Sequence, residues 1–201
     1  MLATALGDYN FNKSMSPLVI IQIIIFSLGT FILIQISKKS LGSFKVHGFY
    51  RFFVFEFTLA LVVLIFPYWF ENPFSFQQIV SWILLSVSLL FLIQSCHFLT
   101  KFGGSKKREM HPSNFKIEDT VNLVKEGVYK YIRHPMYSSL LFLAFGAMFK
   151  HITVFTVLLA SGTILFLIFT AKTEEKENID FFGLTYQKYI EETKMFIPFL
   201  F

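Results

Sequence analysis

The chain has 201 residues, 54% of them apolar and only 15% charged, with 28 Phe. Soluble domains carry about 25% charged residues, so this balance excludes an ordinary soluble enzyme and points to an integral membrane protein. The formal charge is +5, and its Lys and Arg cluster between apolar runs, which points to a membrane surface rather than nucleic acid.

A helix needs about 20 apolar residues to cross the hydrocarbon core. In chain order the candidates are residues 18–36 (with the polar Gln22 and Gln35), 52–70, 79–99, the short 136–149, and 152–170. Lys150 and His151 form a tight connection, so the last two spans are expected to make an antiparallel hairpin. All basic residues except Lys13 and Lys150 fall on one side of this arrangement. By the positive-inside rule the N-terminus is then outside or lumenal and the C-terminus cytoplasmic, in a bacterial inner membrane or the endoplasmic reticulum. Two cytoplasmic segments remain, 100–135 and 171–201. In the second, Ile179, Phe182, Tyr186, Tyr189 and Ile190 recur at helical spacing and predict an amphipathic helix, followed by the apolar MFIPFLF of 195–201. The expected fold is an all-α integral membrane protein with about five transmembrane helices.

Most soluble-enzyme signatures are missing. Gly103-Gly104-Ser105-Lys106 lacks P-loop spacing. A single cysteine, Cys96, allows no intramolecular disulfide and no Cys-based metal site. His47, His97, His111 and His151 show no metal-ligand spacing, so no metal is expected. Glu56 sits a turn or so inside the second span. An intramembrane carboxylate is a functional candidate by default, but hydration or pairing near the cytoplasmic interface is the favoured reading here. Arg51, five residues away, is an imperfect helical partner.

The stretch GVYKYIRHPMYSS, 127–139, opens the fourth span. Pro135 suits the first turn of a helix, where its missing N–H is not needed. Arg133 and His134 then lie at a helix N-terminus, which favours anions. Fourteen residues rise only about 21 Å, less than the roughly 30 Å core, so this edge can sit in a protein-lined pocket. A basic anchor with Tyr129, Tyr131 and Tyr137 as an aromatic belt is the alternative. The hairpin weighs against it, because the fifth span returns Glu174 beside Arg133 and His134. A carboxylate, an imidazole and a guanidinium together suit a zwitterionic, cationic cofactor.

These residues carry a family pattern. LVKEGVYKYIRHPMY (123–137) and EEKENIDFFGLTYQKY (174–189), with Ile197-Pro198 beyond, resemble the two hallmark motifs of the isoprenylcysteine carboxyl methyltransferase family of membrane methyltransferases. The resemblance covers about the last 80 residues. It implies S-adenosylmethionine as methyl donor and a cytoplasmic cofactor pocket formed by the last hairpin, the preceding loop and the C-terminal amphipathic helix. The expected organisation is three transmembrane helices over 1–99 and a methyltransferase region over 100–201. By position the implied cofactor contacts are Asn114, Val121, Asn122, Leu123, Val124, Tyr129, His134, Pro135, Met136, Tyr137 and Glu174. Arg133, His134 and Glu174 are the expected catalytic set, with Arg133 also orienting a carboxylate of cofactor or substrate.

The sequence departs from the motif at Asn178, where the family has leucine, and at Ser138-Ser139. Thr170 stands where prenylcysteine enzymes have the arginine that holds the substrate carboxylate, and Lys172 is the candidate replacement. The implied reaction is in-line methyl transfer to a lipophilic acceptor, a prenylcysteine carboxyl first. A phospholipid amine or a small thiol on the same fold is the nearest rival. A non-enzymatic scaffold or solute carrier is the rival of a different class, and the lack of an inverted repeat speaks against a carrier.

Overall fold

The computed structural model describes residues 16–104 and 120–200; the expected cofactor contact Asn114 lies outside them. Helix α1 spans Pro17–Ser37, and its Ser16 side chain accepts the Val19 N–H. Helix α2 spans His47–Ile65 and tightens into a 3₁₀ turn at Phe66–Tyr68, where Pro67 ends the α-helical ladder. Helix α3 spans Phe76–Phe102 behind the cap of Ser75. Helix α4 spans Pro135–Lys150, and α5 spans Val154–Phe182 behind a Thr153/Thr156 capping box. Helix α6 is Leu184–Glu192.

The fold is all-α. Among the described residues, four helices (α1, α2 with its 3₁₀ turn, α3 and α5) are long and apolar enough to cross a membrane. The fourth expected span is α4, whose 16 residues rise about 24 Å. It is stopped by Pro135 at one end and by the loop at His151 at the other.

Helix α4 packs along α3, α5 along α2, and α1 against α2. Small and hydroxyl residues let α3 and α4 approach closely, as is usual between membrane helices. Ser81 Oγ donates to Gly146 O at 2.6 Å and Ser88 Oγ to Ser139 O at 2.7 Å. A Cβ on Gly146 would meet Leu85 at 2.9 Å. An aromatic ladder sets the antiparallel register of α2 and α5: Tyr50 against Phe169, with Phe53 and Phe57 both against Phe166. At the end of the bundle that carries the tail, one core cluster joins Val54, Tyr137, Leu141, Leu167 and Ala171 with Met195 and Phe196.

Three expectations change. First, the tail periodicity spans two helices. Gly183 adopts φ 60° and ψ −138°, a region that glycine tolerates and other residues avoid, and the chain turns there. Helix α5 thus runs 29 residues, about 44 Å. That exceeds the roughly 30 Å core, so its last turns, carrying Glu174 to Phe182, project beyond the apolar layer. Second, Lys150 belongs to α4 and is buried. Its Nζ donates to Gln78 Oε1 at 2.9 Å and lies 3.4 Å from the Trp82 ring centroid, which compensates the cost of burying a charge. Third, Glu56 faces α1, where Thr30 Oγ1 donates to it at 2.9 Å. Arg51 turns instead toward His47.

The chain end straps the start of α4. Arg133 N–H donates to Lys194 O, Lys194 N–H to Tyr131 O, and His134 N–H to Met195 O, at 2.8–3.1 Å. Ser138 Oγ adds a 2.6 Å bond to Phe196 O, which gives the serine at this motif position a structural role.

Gly127 opens the 3₁₀ turn Gly127–Lys130 that leads into this strap, with φ 60° and its α-carbon against the Phe98 ring. Gly127→Ala is expected to destabilise the protein by about 1–3 kcal/mol. Thermal denaturation in detergent checks this, and an unchanged midpoint would contradict the packing of this turn on α3.

Candidate active site

Pro135 starts α4 without needing an N–H, and His134 is its N-cap. The preceding Arg133 reaches sideways. Its Nε donates to Glu175 Oε1 at 2.6 Å, and its Nη1 donates to Ile190 O at 3.1 Å and to Thr193 O. Those carbonyls lie at the C-terminal end of α6, where unpaired acceptors carry partial negative charge. The planar guanidinium fork suits this several-way contact. Glu175, not Glu174, is therefore the partner of Arg133. Arg133 thereby ties the start of α4 to α5 and α6, and it also borders the cleft.

His134 is 5% exposed. Its Nδ1 lies 3.6 Å from Glu174 Oε2 and its Nε2 3.4 Å from Glu175 Oε1, and its ring stacks on Tyr137. The Nε2 contact is too poorly aligned to count as a hydrogen bond, so this buried nitrogen has none among the described residues. Glu174 also receives the Tyr137 hydroxyl. With a quarter of its side chain accessible, it is the most open carboxylate of the group.

These side chains border a cleft enclosing about 600 Å³ including its open mouth. Leu99 of α3 and Thr120 form one wall. Leu123, Val124 and Tyr129 continue it, and Arg133 to Tyr137 form the base. Glu174, Asn178 and Phe182 of α5 face them, with Tyr186 and Tyr189 of α6. Of the expected cofactor contacts, Leu123, Val124, Tyr129, His134, Pro135, Met136, Tyr137 and Glu174 all border the cleft. Val121 and Asn122 do not. Their backbone N–H groups both bond Gly103 O, closing the end of α3. Lys172 is exposed on another face of α5 and is not part of the wall. Thr170 is fully buried, its hydroxyl bonded to Phe166 O.

Sequence reasoning missed Asn178 and Phe182 as site residues, although a signal existed. They follow Glu174 at i+4 and i+8, hence on the same helix face. Asn178 Nδ2 donates to the Tyr186 hydroxyl at 3.3 Å, and Tyr189 OH donates to Tyr129 O at 2.6 Å. Burial pushes both phenols well above their ordinary pKa, and for Tyr186 the nearby Glu174 charge adds to the effect. Both stay protonated as donors. Apolar walls with one accessible carboxylate, one buried imidazole and protonated phenols suit an organic cation or zwitterion. Among the described residues no group of three or more metal-ligating side chains converges.

A family model described as phospholipid methyltransferase matches residues 76–185. That is more than half of the chain and takes in α3, α4, α5 and every cleft residue except Tyr186 and Tyr189. No curated protein and no solved structure matches the chain.

Arg133→Lys keeps the charge but loses the fork. It is expected to cost about 1.5–3 kcal/mol of stability, the scale of charged hydrogen bonds. Thermal or denaturant unfolding measures it, and a variant as stable as the parent would show that the fork does not hold α6.

Proposed function

The chain belongs to the phospholipid methyltransferase family, and from that premise we propose that it transfers a methyl group from S-adenosylmethionine to an amine in the headgroup of a membrane lipid. The carrying observation is the charge of the cleft. Glu174 faces it beside His134, while Arg133, the guanidinium on its wall, is bound by Glu175 and the α6 carbonyls. An acceptor carboxylate would need a cation to hold it, and neither Thr170 nor Lys172 lines the cleft. An amine acceptor needs none. The prenylcysteine carboxyl remains the second reading, favoured by the motif over 123–137.

The residues present fit the cofactor. Glu174 would face its positive charge, the rings of Tyr129, Tyr137 and Phe182 offer surfaces for its flat base, and the buried Nε2 of His134 leaves a polar atom for a ligand to meet. When bound, S-adenosylmethionine supplies an electrophilic methyl group on a sulfonium. Leu99, Leu123, Val124 and Met136 keep water from the cleft. An amine must be neutral to attack and sheds a proton afterwards, and His134 is the group placed to take it. An imidazolium there would stand between Glu174 and Glu175. The lipid would come from the bilayer around the spanning helices, with the cleft on the cytoplasmic side, in the topology expected from the basic residues. The membrane is that of a bacterial cell or of the endoplasmic reticulum.

Labelled S-adenosylmethionine, given to purified membranes with phosphatidylethanolamine, a farnesylcysteine analogue or a simple thiol, tests this. Label is expected in phosphatidylethanolamine, and Glu174→Gln is expected to lower kcat/KM by about 100-fold or more. Transfer to farnesylcysteine alone would replace the amine with the carboxyl acceptor. No transfer to any of them would overturn the enzymatic reading in favour of a scaffold.

A further inference from the structure

Helix α2 lies outside the family-matched residues, and its sequence is mostly apolar. Its buried stripe nevertheless begins with two basic residues, His47 and Arg51, before continuing through Val54, Thr58, Leu61 and Ile65. His47 and Arg51 are 2% and 5% exposed. Glu177 of α5, itself buried, meets His47. Its Oε1 accepts the His47 backbone N–H at 2.9 Å, capping the N-terminus of α2, and its Oε2 lies 2.6 Å from His47 Nδ1. The other ring nitrogen, Nε2, is 3.4 Å from Arg51 Nη1. With the proton on Nδ1 shared with Glu177, Nε2 is free to accept from the guanidinium. A carboxylate, an imidazole and a guanidinium thus run in a row from α5 into α2.

The row ends beside the cleft. Val54, one turn deeper than Arg51, packs in the cluster that holds Tyr137 and Ala171. Tyr137 is the residue whose hydroxyl reaches Glu174, and Ala171 precedes Glu174 by one turn of α5. On the buried stripe of α2, Arg51 lies between His47, which meets Glu177, and Val54, which shares a cluster with Ala171, so on the antiparallel α5 it falls at the level of Glu174. Glu174 interacts electrostatically with both His47 and Arg51. Glu177 alone would cap α2. A second buried charge one turn on is costly unless it has work to do, because well-packed apolar side chains serve a helix interface as well or better.

We propose that Arg51, fixed through His47 and Glu177, is a positioning residue for Glu174, holding its carboxylate aimed into the cleft so that affinity for the positively charged cofactor depends on α2. This rests on the reading of Glu174 as the group that faces the ligand's positive charge. Thr173 and Lys172 beside Glu174 on α5 cannot substitute, because Lys172 points to another face.

The test is a double-mutant cycle on the full chain in lipid nanodiscs. The variants are Arg51→Met, Arg51→Lys, Glu174→Gln and the double variant Arg51→Met/Glu174→Gln. Binding of radiolabelled S-adenosylmethionine and the thermal midpoint are measured for each. Arg51→Met is expected to weaken binding about tenfold or more and Arg51→Lys to regain most of that. In the Glu174→Gln background, Arg51→Met is expected to add little further loss of binding or stability. Equal fold-losses in the two backgrounds, or a lysine variant that recovers stability without recovering binding, would overturn the proposal. If the parent protein binds no cofactor, the methyltransferase reading fails by itself. The thermal cycle then decides: additive midpoints refute the coupling of Arg51 to Glu174, and non-additive ones uphold it.

Discussion

Three carboxylates near the end of α5 meet basic groups from two distant parts of the chain, and this end of the molecule is built around that meeting. Glu175 takes Arg133, Glu177 takes His47, and Glu174 is left beside His134 with the greatest access to the cleft. Successive residues on a helix differ by about 100°, so one short stretch can serve three directions. Charges so deeply placed are tolerable only in company: removing one member leaves the others desolvated and unpaired. The same arithmetic joins stability to function here, since the group that would hold a ligand's cation is embedded among the groups that hold the helices.

The tail completes the arrangement. Helix α5 outruns the apolar layer, turns at Gly183 and returns as α6, whose terminal carbonyls are capped by Arg133. The chain then lies parallel to 131–134 and sends Phe196 into the core with Tyr137 and Leu141. One arginine thus closes α4, α5 and α6 on each other. The cleft between them is bounded by backbone that is hydrogen-bonded along the RHP segment, so its walls are pre-organised rather than assembled by a ligand.

The sequence disclosed much of this for identifiable reasons. Spans appear as apolar runs, Pro135 marks the start of α4, and a short connection makes the hairpin that brings Glu174 to His134. Other features depend on quantities that a one-dimensional pattern does not hold. Which glutamate meets Arg133 depends on the rotation of α5 and on where α6 ends. The break at Gly183 interrupts a helical periodicity that the apolar residues continue without a gap. The pairing of His47 with Glu177 joins positions 130 residues apart. The burial of Lys150 depends on two tryptophans and a glutamine arriving from other elements. Asn178 and Phe182 were accessible in principle, since the tail periodicity already implies a helix over them and they fall on its Glu174 face.

The central claim is that the cleft between the RHP segment, α5 and α6 holds S-adenosylmethionine. Direct photolabelling of the purified protein with methyl-labelled cofactor, followed by peptide mapping, tests it without reference to any acceptor. The account predicts saturable label confined to peptides from 120–137 and 174–189, lost in Glu174→Gln. Saturable label on other helices, or label that unlabelled cofactor does not displace, would contradict it.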